Sequence, residues 1–182
     1  GRGMNNLGWH WWAADSAIVT QDYAGRARCI NLGHCIAGCA QGAKSSADIA
    51  YWVEAGRAGV VLRTRCRVRE ITTHADGMAS GAIYYDADGN ECFQPAEIVI
   101  VACNGIGTPR LLLNSISSRF PNGLANSSGL VGKNLMLHPY GSITGFFEQQ
   151  MDGYRGPHIG TWSQEFYETD RQRGFVRGYQ LQ

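Results

Sequence analysis

The run Glu97-Ile98-Val99-Ile100-Val101-Ala102-Cys103-Asn104-Gly105-Ile106-Gly107-Thr108-Pro109-Arg110-Leu111-Leu112-Leu113 constrains this chain more than any other stretch. Ile98 to Val101 is short, β-branched and apolar, the character of a strand buried on both faces. The run stops at small residues and glycines. Thr108 is then placed as an N-cap, with Pro109 at the first helical position, where a missing N–H costs nothing. Strand, glycine-bearing turn and helix start, in that order, predict an open α/β sheet whose ligands bind beyond the strand's carboxyl end. Small residues there let a ligand approach the backbone, and free N–H groups at the helix start favour an anion. The same pattern also serves as a plain tight connection.

The chain has 182 residues, enough for one core or for part of a larger one. Its formal charge of +1 and the lack of a basic run argue against a nucleic-acid or acidic-partner role. No apolar run reaches the roughly 18 residues of a membrane span. Glycine, 24 residues, is about twice its average usage of roughly 7% and implies many turns. The sequence opens at Gly1 without an initiator Met and closes at Leu181-Gln182 in what reads as a strand, so a fragment is expected. No Gly-x-Gly-x-x-Gly turn occurs, and Gly105 to Arg110 supplies only two of its three glycines. A Ser/His/Asp order, His-Glu-x-x-His, a phosphate loop and internal repeats are also missing from the sequence.

A second feature is the loop from Cys29 to Ser46. Cys29, Cys35 and Cys39 follow a C-x5-C-x3-C spacing among glycines, which can bring three sulfurs together. Thiolates are the usual ligands of iron–sulfur clusters and also suit zinc. Zinc needs a fourth ligand, for which His34 is the local candidate, but His34 and Cys35 are adjacent and point apart. Three thiols suit a three-iron cluster better.

The remaining stretches read as supports. Trp9, His10, Trp11 and Trp12 form a packed aromatic cluster or a pocket wall. Ser45 or Ser46 caps a helix running to about Ala58, ended by Gly59. Val60 to Arg65 follows as a strand and continues through Ile71. Asp76-Gly77 and Asp86 to Asn90 are turns separating short strands at Ala79–Tyr85 and Glu91–Phe93, an antiparallel meander that returns through Ile98. Asp86, Asp88 and Asn90 mimic the start of a calcium loop, but the glycine and closing glutamate fall at wrong offsets. Gly141 to Phe147 alternates as a strand does. His138 is tempting as a base.

Three motifs in order resemble the glucose–methanol–choline (GMC) family of FAD-dependent oxidoreductases. Ala102, Ile106, Thr108, Pro109, Leu111, Leu112 and Ser115 match a signature in which a strand ends beside the flavin. Cys103, Asn104 and Gly105 stand where Ala-Gly-Ala is usual. Val131-Gly132-Lys133-Asn134-Leu135 to His138-Pro139 resembles a second family segment, in which the His is not catalytic. The Cys loop is similar to that of the iron–sulfur subgroup containing gluconate and glucose dehydrogenases. Related members without a cluster, long-chain alcohol oxidases among them, carry a similar loop before Gly-x-Lys. Unmetallated cysteines or one disulfide therefore stay open.

The resemblance implies an α/β fold, α+β overall. It would comprise part of a Rossmann-like FAD-binding domain with an antiparallel meander, leading into a substrate-domain sheet. It implies residues 1–28 in the substrate or cap region, 29–139 in the FAD-binding domain and 140–182 at the start of the substrate domain. It implies oxidation of a CH–OH group in an alcohol or sugar, with hydride passing to the flavin. Cofactor contacts fall to Val68, Ala102, Cys103, Asn104, Gly105 and Thr108, with Val68 meeting the adenine through its backbone. A [3Fe-4S] cluster falls to Cys29, Cys35 and Cys39. The catalytic His lies outside this stretch, and the stretch alone is expected to be inactive. A dehydrogenase would pass electrons to an acceptor protein such as a cytochrome. The rival readings are a non-catalytic metal-binding module built on the Cys loop and a redox enzyme of other architecture.

Overall fold

The computed structural model describes residues 1–157 and 159–182. The chain forms two compact units, one from Gly1–Val60 with Thr144–Gln182 and one from Val61–Ile143. Among the described residues no helix is long and apolar enough to cross a membrane.

The second unit is built on the predicted meander. Strands β2 (Arg67–Thr73), β3 (Ala79–Tyr85) and β4 (Glu91–Pro95) pair antiparallel in the order β2-β3-β4. Both turns form as the residues predict. Asp76 Oδ1 accepts the Met78 N–H at 2.9 Å, while Gly77 takes a φ of +93°. Asp86 Oδ1 accepts the N–H groups of Asp88 and Asn90, each at 2.9 Å, so this carboxylate closes a hairpin. A bulge at Arg69 breaks the register between Val68 and Glu70, and the Arg69 guanidinium pairs Glu70 at 2.9 Å and Glu91 at 2.6 Å. One helix, α3 (Asn104–Asn114), lies on β2, and its Leu111 and Ser115 are buried with Ile71.

The first unit holds α1 (Arg2–Asn6) and a two-residue pairing of β1 (Trp12–Ala13) with β5 (Thr161–Trp162). A π-helical turn, Asp48–Trp52, runs into α2 (Val53–Arg57). Trp9 and Trp12 make aromatic contacts, while the Trp11 indole N–H donates to Asn5 Oδ1 at 2.6 Å. Trp9 meets Phe166 edge-on at 4.9 Å, and Phe166 stacks on Tyr179 at 5.2 Å. His10 takes part through its backbone. Its carbonyl accepts the Ser163 hydroxyl at 2.6 Å, and Ser163 is 1% exposed.

Several expected elements differ. Ile98–Val101 carries no strand pairing, and Ile98 and Ile100 are 80% and 86% exposed. A strand apolar on both faces needs neighbours on both edges and cover on both sides. None of the described strands lies beside it. Val60–Arg65 and Gly141–Phe147 likewise stay outside any ladder, for the same reason.

The helix after Gly59's predecessor run is shorter than expected, and neither serine caps it. Arg26 donates to Ser45 Oγ at 2.6 Å, which leaves Ala47 at the N-cap position. Gly59, with a φ of +89°, ends the helical stretch as expected. The helix placed at Thr108 begins instead at Asn104, and Pro109 falls inside it. An asparagine that can bond its own downstream amides starts a helix earlier than a threonine four residues on.

Candidate functional site

The two sets of predicted site residues belong to different units, and each set has its own local geometry. In the second unit, Ala102, Cys103, Asn104 and Gly105 are exposed at the N-terminal end of α3. Asn104 takes a φ of +60°, a left-handed conformation that asparagine tolerates better than most residues. That conformation turns its side chain back on the helix. Asn104 Oδ1 accepts the N–H of Ile106 at 2.8 Å and of Gly107 at 3.1 Å. Thr108 Oγ1 accepts the Cys103 N–H at 3.1 Å.

The amides that the sequence left free for an anion are thus partly taken by the turn's own side chains. In exchange the turn is fixed. A Cβ placed on Gly105 would meet no atom of the chain within 4 Å, so the backbone there faces open space. Ile106, 69% exposed, adds apolar surface beside it.

Val68 lies on β2, opposite Tyr84, and is 45% exposed. Sequence and structure agree on placing it in a strand, and the structure packs α3 on that strand. A further motif meets the helix as well. A Cβ on Gly132 would sit 3.2 Å from Leu113 Cδ1 and 3.9 Å from Pro109 Cβ, so the Val131–Asn134 segment packs on α3. His138 is exposed.

In the first unit, Cys29, Cys35 and Cys39 are all half-buried and line one hollow of about 560 Å³. All six cysteines are free among the described residues. Lys44 Nζ donates to the Cys35 carbonyl at 2.9 Å, and Cys35 Sγ donates to the Gly156 carbonyl at 3.2 Å. The Lys44 backbone N–H foremost, with those of Ala43, Gln41 and Gly42, holds the Cys39 thiol below its ordinary value; partial burial opposes them. Donor chemistry of this kind suits a thiolate ligand. The side chains do not converge, however: among the described residues no three His, Cys, Asp or Glu groups are arranged to hold a metal ion. His34, the zinc candidate, lines the same hollow and stacks on Tyr154, with ring centroids 5.9 Å apart.

Nothing in the sequence foretells that Tyr154–Pro157 lies against the Cys loop, more than a hundred residues away. Only the Gly33 backbone hints at it, since a Cβ there would strike the Tyr154 carbonyl.

A signature turn at the start of α3, with the Val-Gly-x-Asn segment packed on the same helix, is one arrangement read twice. The family model for GMC oxidoreductases matches residues 2–140. The chain belongs to the GMC oxidoreductase family. Across 182 aligned residues, 98% of this chain, it is 43% identical to a 2-methyl-1,2-propanediol dehydrogenase of Mycolicibacterium austroafricanum. It is 32% identical over 136 residues, 75% of the chain, to the fructose dehydrogenase large subunit of Gluconobacter japonicus. It is 30% identical over 134 residues, 72% of the chain, to paromamine 6'-oxidase of Streptomyces fradiae. The chain spans 33% of the first relative's length and 25% of each of the others. The GMC match covers the Cys loop, the meander and α3, which agrees with the order of motifs in the sequence.

Proposed function

We propose that this chain is the central part of an FAD-dependent oxidoreductase acting on the CH–OH group of a small alcohol, sugar or polyol. Membership of the GMC family over residues 2–140 carries the reading. Relatives named as a diol dehydrogenase and a fructose dehydrogenase subunit support the donor class.

FAD fits the residues at the start of α3. The open space in front of Gly105 admits a flat group, and the exposed small residues Ala102 and Cys103 leave the backbone approachable. A bound flavin supplies the hydride acceptor, while the protein supplies binding, orientation and electrostatics. Asn104 and Thr108 hold the turn rigid through their bonds to Ile106, Gly107 and Cys103. Gly105 lets the cofactor approach, Ile106 offers it apolar surface, and Val68 meets the adenine through its backbone. Residues 29–139 serve as the FAD-binding part, and 1–28 with 140–182 serve the substrate region. The ladder joining Trp12 to Trp162 supports the pairing of the chain's two end segments.

A relay on Cys29, Cys35 and Cys39 is the finer part of the proposal. The C-x5-C-x3-C spacing and the hollow the three cysteines line are what support a [3Fe-4S] cluster. The thiols must draw together to ligate one, so no step is derived through it. With such a relay the enzyme is a dehydrogenase delivering electrons to an acceptor protein such as a cytochrome.

The test is a visible spectrum of anaerobically purified full-length protein, with iron analysis and low-temperature EPR. Flavin bands bleached by an alcohol or sugar donor are expected. A colourless, flavin-free protein would overturn the reading. Flavin without iron would remove the cluster and leave the oxidoreductase standing.

A further inference from the structure

We propose that a second hollow in the first unit, beside the Cys loop, binds a planar aromatic compound carrying an anionic or carbonyl oxygen. Its volume is about 660 Å³, and it is lined by Ile30, Asn31, Leu32, Tyr154, Arg155, Gly156 and Pro157. Asn31 and Leu32 also line the thiol hollow, so the two share a wall.

The lining chooses the ligand. Ile30, Leu32 and Tyr154 are apolar groups left 61%, 59% and 49% exposed around one concave surface. Tyr154 is held in place for stacking. Its ring lies parallel to His34 within 22°, and its carbonyl accepts the His34 N–H at 3.1 Å. Arg155 stands with its guanidinium carbon 5.8 Å from the Tyr154 ring centre and is exposed. A cation held beside an aromatic face attracts a flat ring bearing negative charge or a carbonyl dipole.

Asn31 is the second polar group, fixed by a left-handed φ of +58°. Gly156 leaves room for its amide, since a Cβ there would stand 3.3 Å from Asn31 Oδ1. A sugar is disfavoured: recognition of several hydroxyls needs several acceptors, and among the described residues the lining contains no carboxylate. Apolar walls with two placed polar groups are the usual composition of a site for a flat, mostly apolar molecule.

Anthraquinone-2-sulfonate is a suitable probe because it is planar, anionic and unreactive toward thiols. Calorimetric titration into the full-length protein is expected to show one site that Tyr154 and Arg155 variants weaken. Tyr154→Leu and Arg155→Gln should each weaken binding tenfold or more. Both residues are exposed, so circular dichroism should be unchanged. Arg155→Lys should recover part of the loss. Cyclohexanesulfonate, anionic but not planar, should bind at least tenfold more weakly than the probe, and glucose should not bind. Equal affinity in parent and both variants, binding at many equivalent sites, or no binding at millimolar probe would each overturn the proposal. None of these readouts depends on flavin or iron, so the result is independent of the proposed oxidoreductase activity.

Discussion

The Ile71 backbone N–H donates to Ser115 Oγ at 2.9 Å, inside the core of the second unit. Ser115, 4% exposed, donates its own hydroxyl hydrogen bond to the Leu111 carbonyl at 2.7 Å. One side chain therefore ties the last turn of α3 to the middle of β2. Ile71 would otherwise present a buried N–H with no ladder partner on that edge. Ser115→Ala leaves that donor unsatisfied and is expected to cost about 1–3 kcal/mol. Urea denaturation checks it, with exposed Ser118→Ala as a near-neutral control.

Gly105 separates cofactor binding from folding. Because a Cβ there meets nothing in the chain, Gly105→Ala should keep the fold and even stabilise the helix by up to about 1 kcal/mol. In the full-length protein the larger Gly105→Val is expected to lose FAD while retaining secondary structure. Flavin content after gel filtration, set beside the far-ultraviolet circular dichroism, gives both readouts. Unchanged flavin would move the cofactor away from this turn.

Asn104 makes two bonds to the helix it begins and holds a left-handed φ. Asn104→Ala loses both and forces an alanine into that conformation, at a cost of about 1–2 kcal/mol. Asn104→Gly relieves the backbone and should cost only a few tenths of a kcal/mol. An alanine variant as stable as the glycine one would show that the side-chain bonds and the left-handed backbone matter little.

Asp86 gives a pH signature. Asn90, through its side chain and then its backbone, foremost holds the Asp86 carboxyl below its ordinary value. A group depressed in the folded state stabilises above its unfolded pKa and loses that contribution as pH falls through the folded value. Asp86→Ala should therefore lower the thermal midpoint more at pH 7 than at pH 2. An equal effect at both would mean that the ionised carboxylate is not what closes the turn.

Cys39 should show its depressed pKa in its reactivity. Its alkylation rate by iodoacetamide, followed by peptide mass spectrometry against pH, is expected to have a midpoint below that of a free cysteine peptide measured alongside. A midpoint at or above that value would remove the amides around Lys44 as its cause.

Local chemistry settled much of this molecule from sequence. Asp76-Gly77 and Asp86 to Asn90 close their hairpins with contacts between near neighbours, so the meander was readable without a partner. Gly59 ended its helix for the same reason. The family, too, was legible, because three motifs in order are properties of the chain itself. What needed the tertiary structure were features set by distant groups. Ile98–Val101 has the composition of a buried strand, yet a strand exists only where a neighbour accepts its backbone bonds, and none of the described strands does. Arg26 took the hydroxyl that Ser45 would have used as a cap. Asn104 closed the turn upon itself, and Tyr154 came to rest on His34. Whether a side chain is available depends on which other groups reach it first, and only the folded chain decides that.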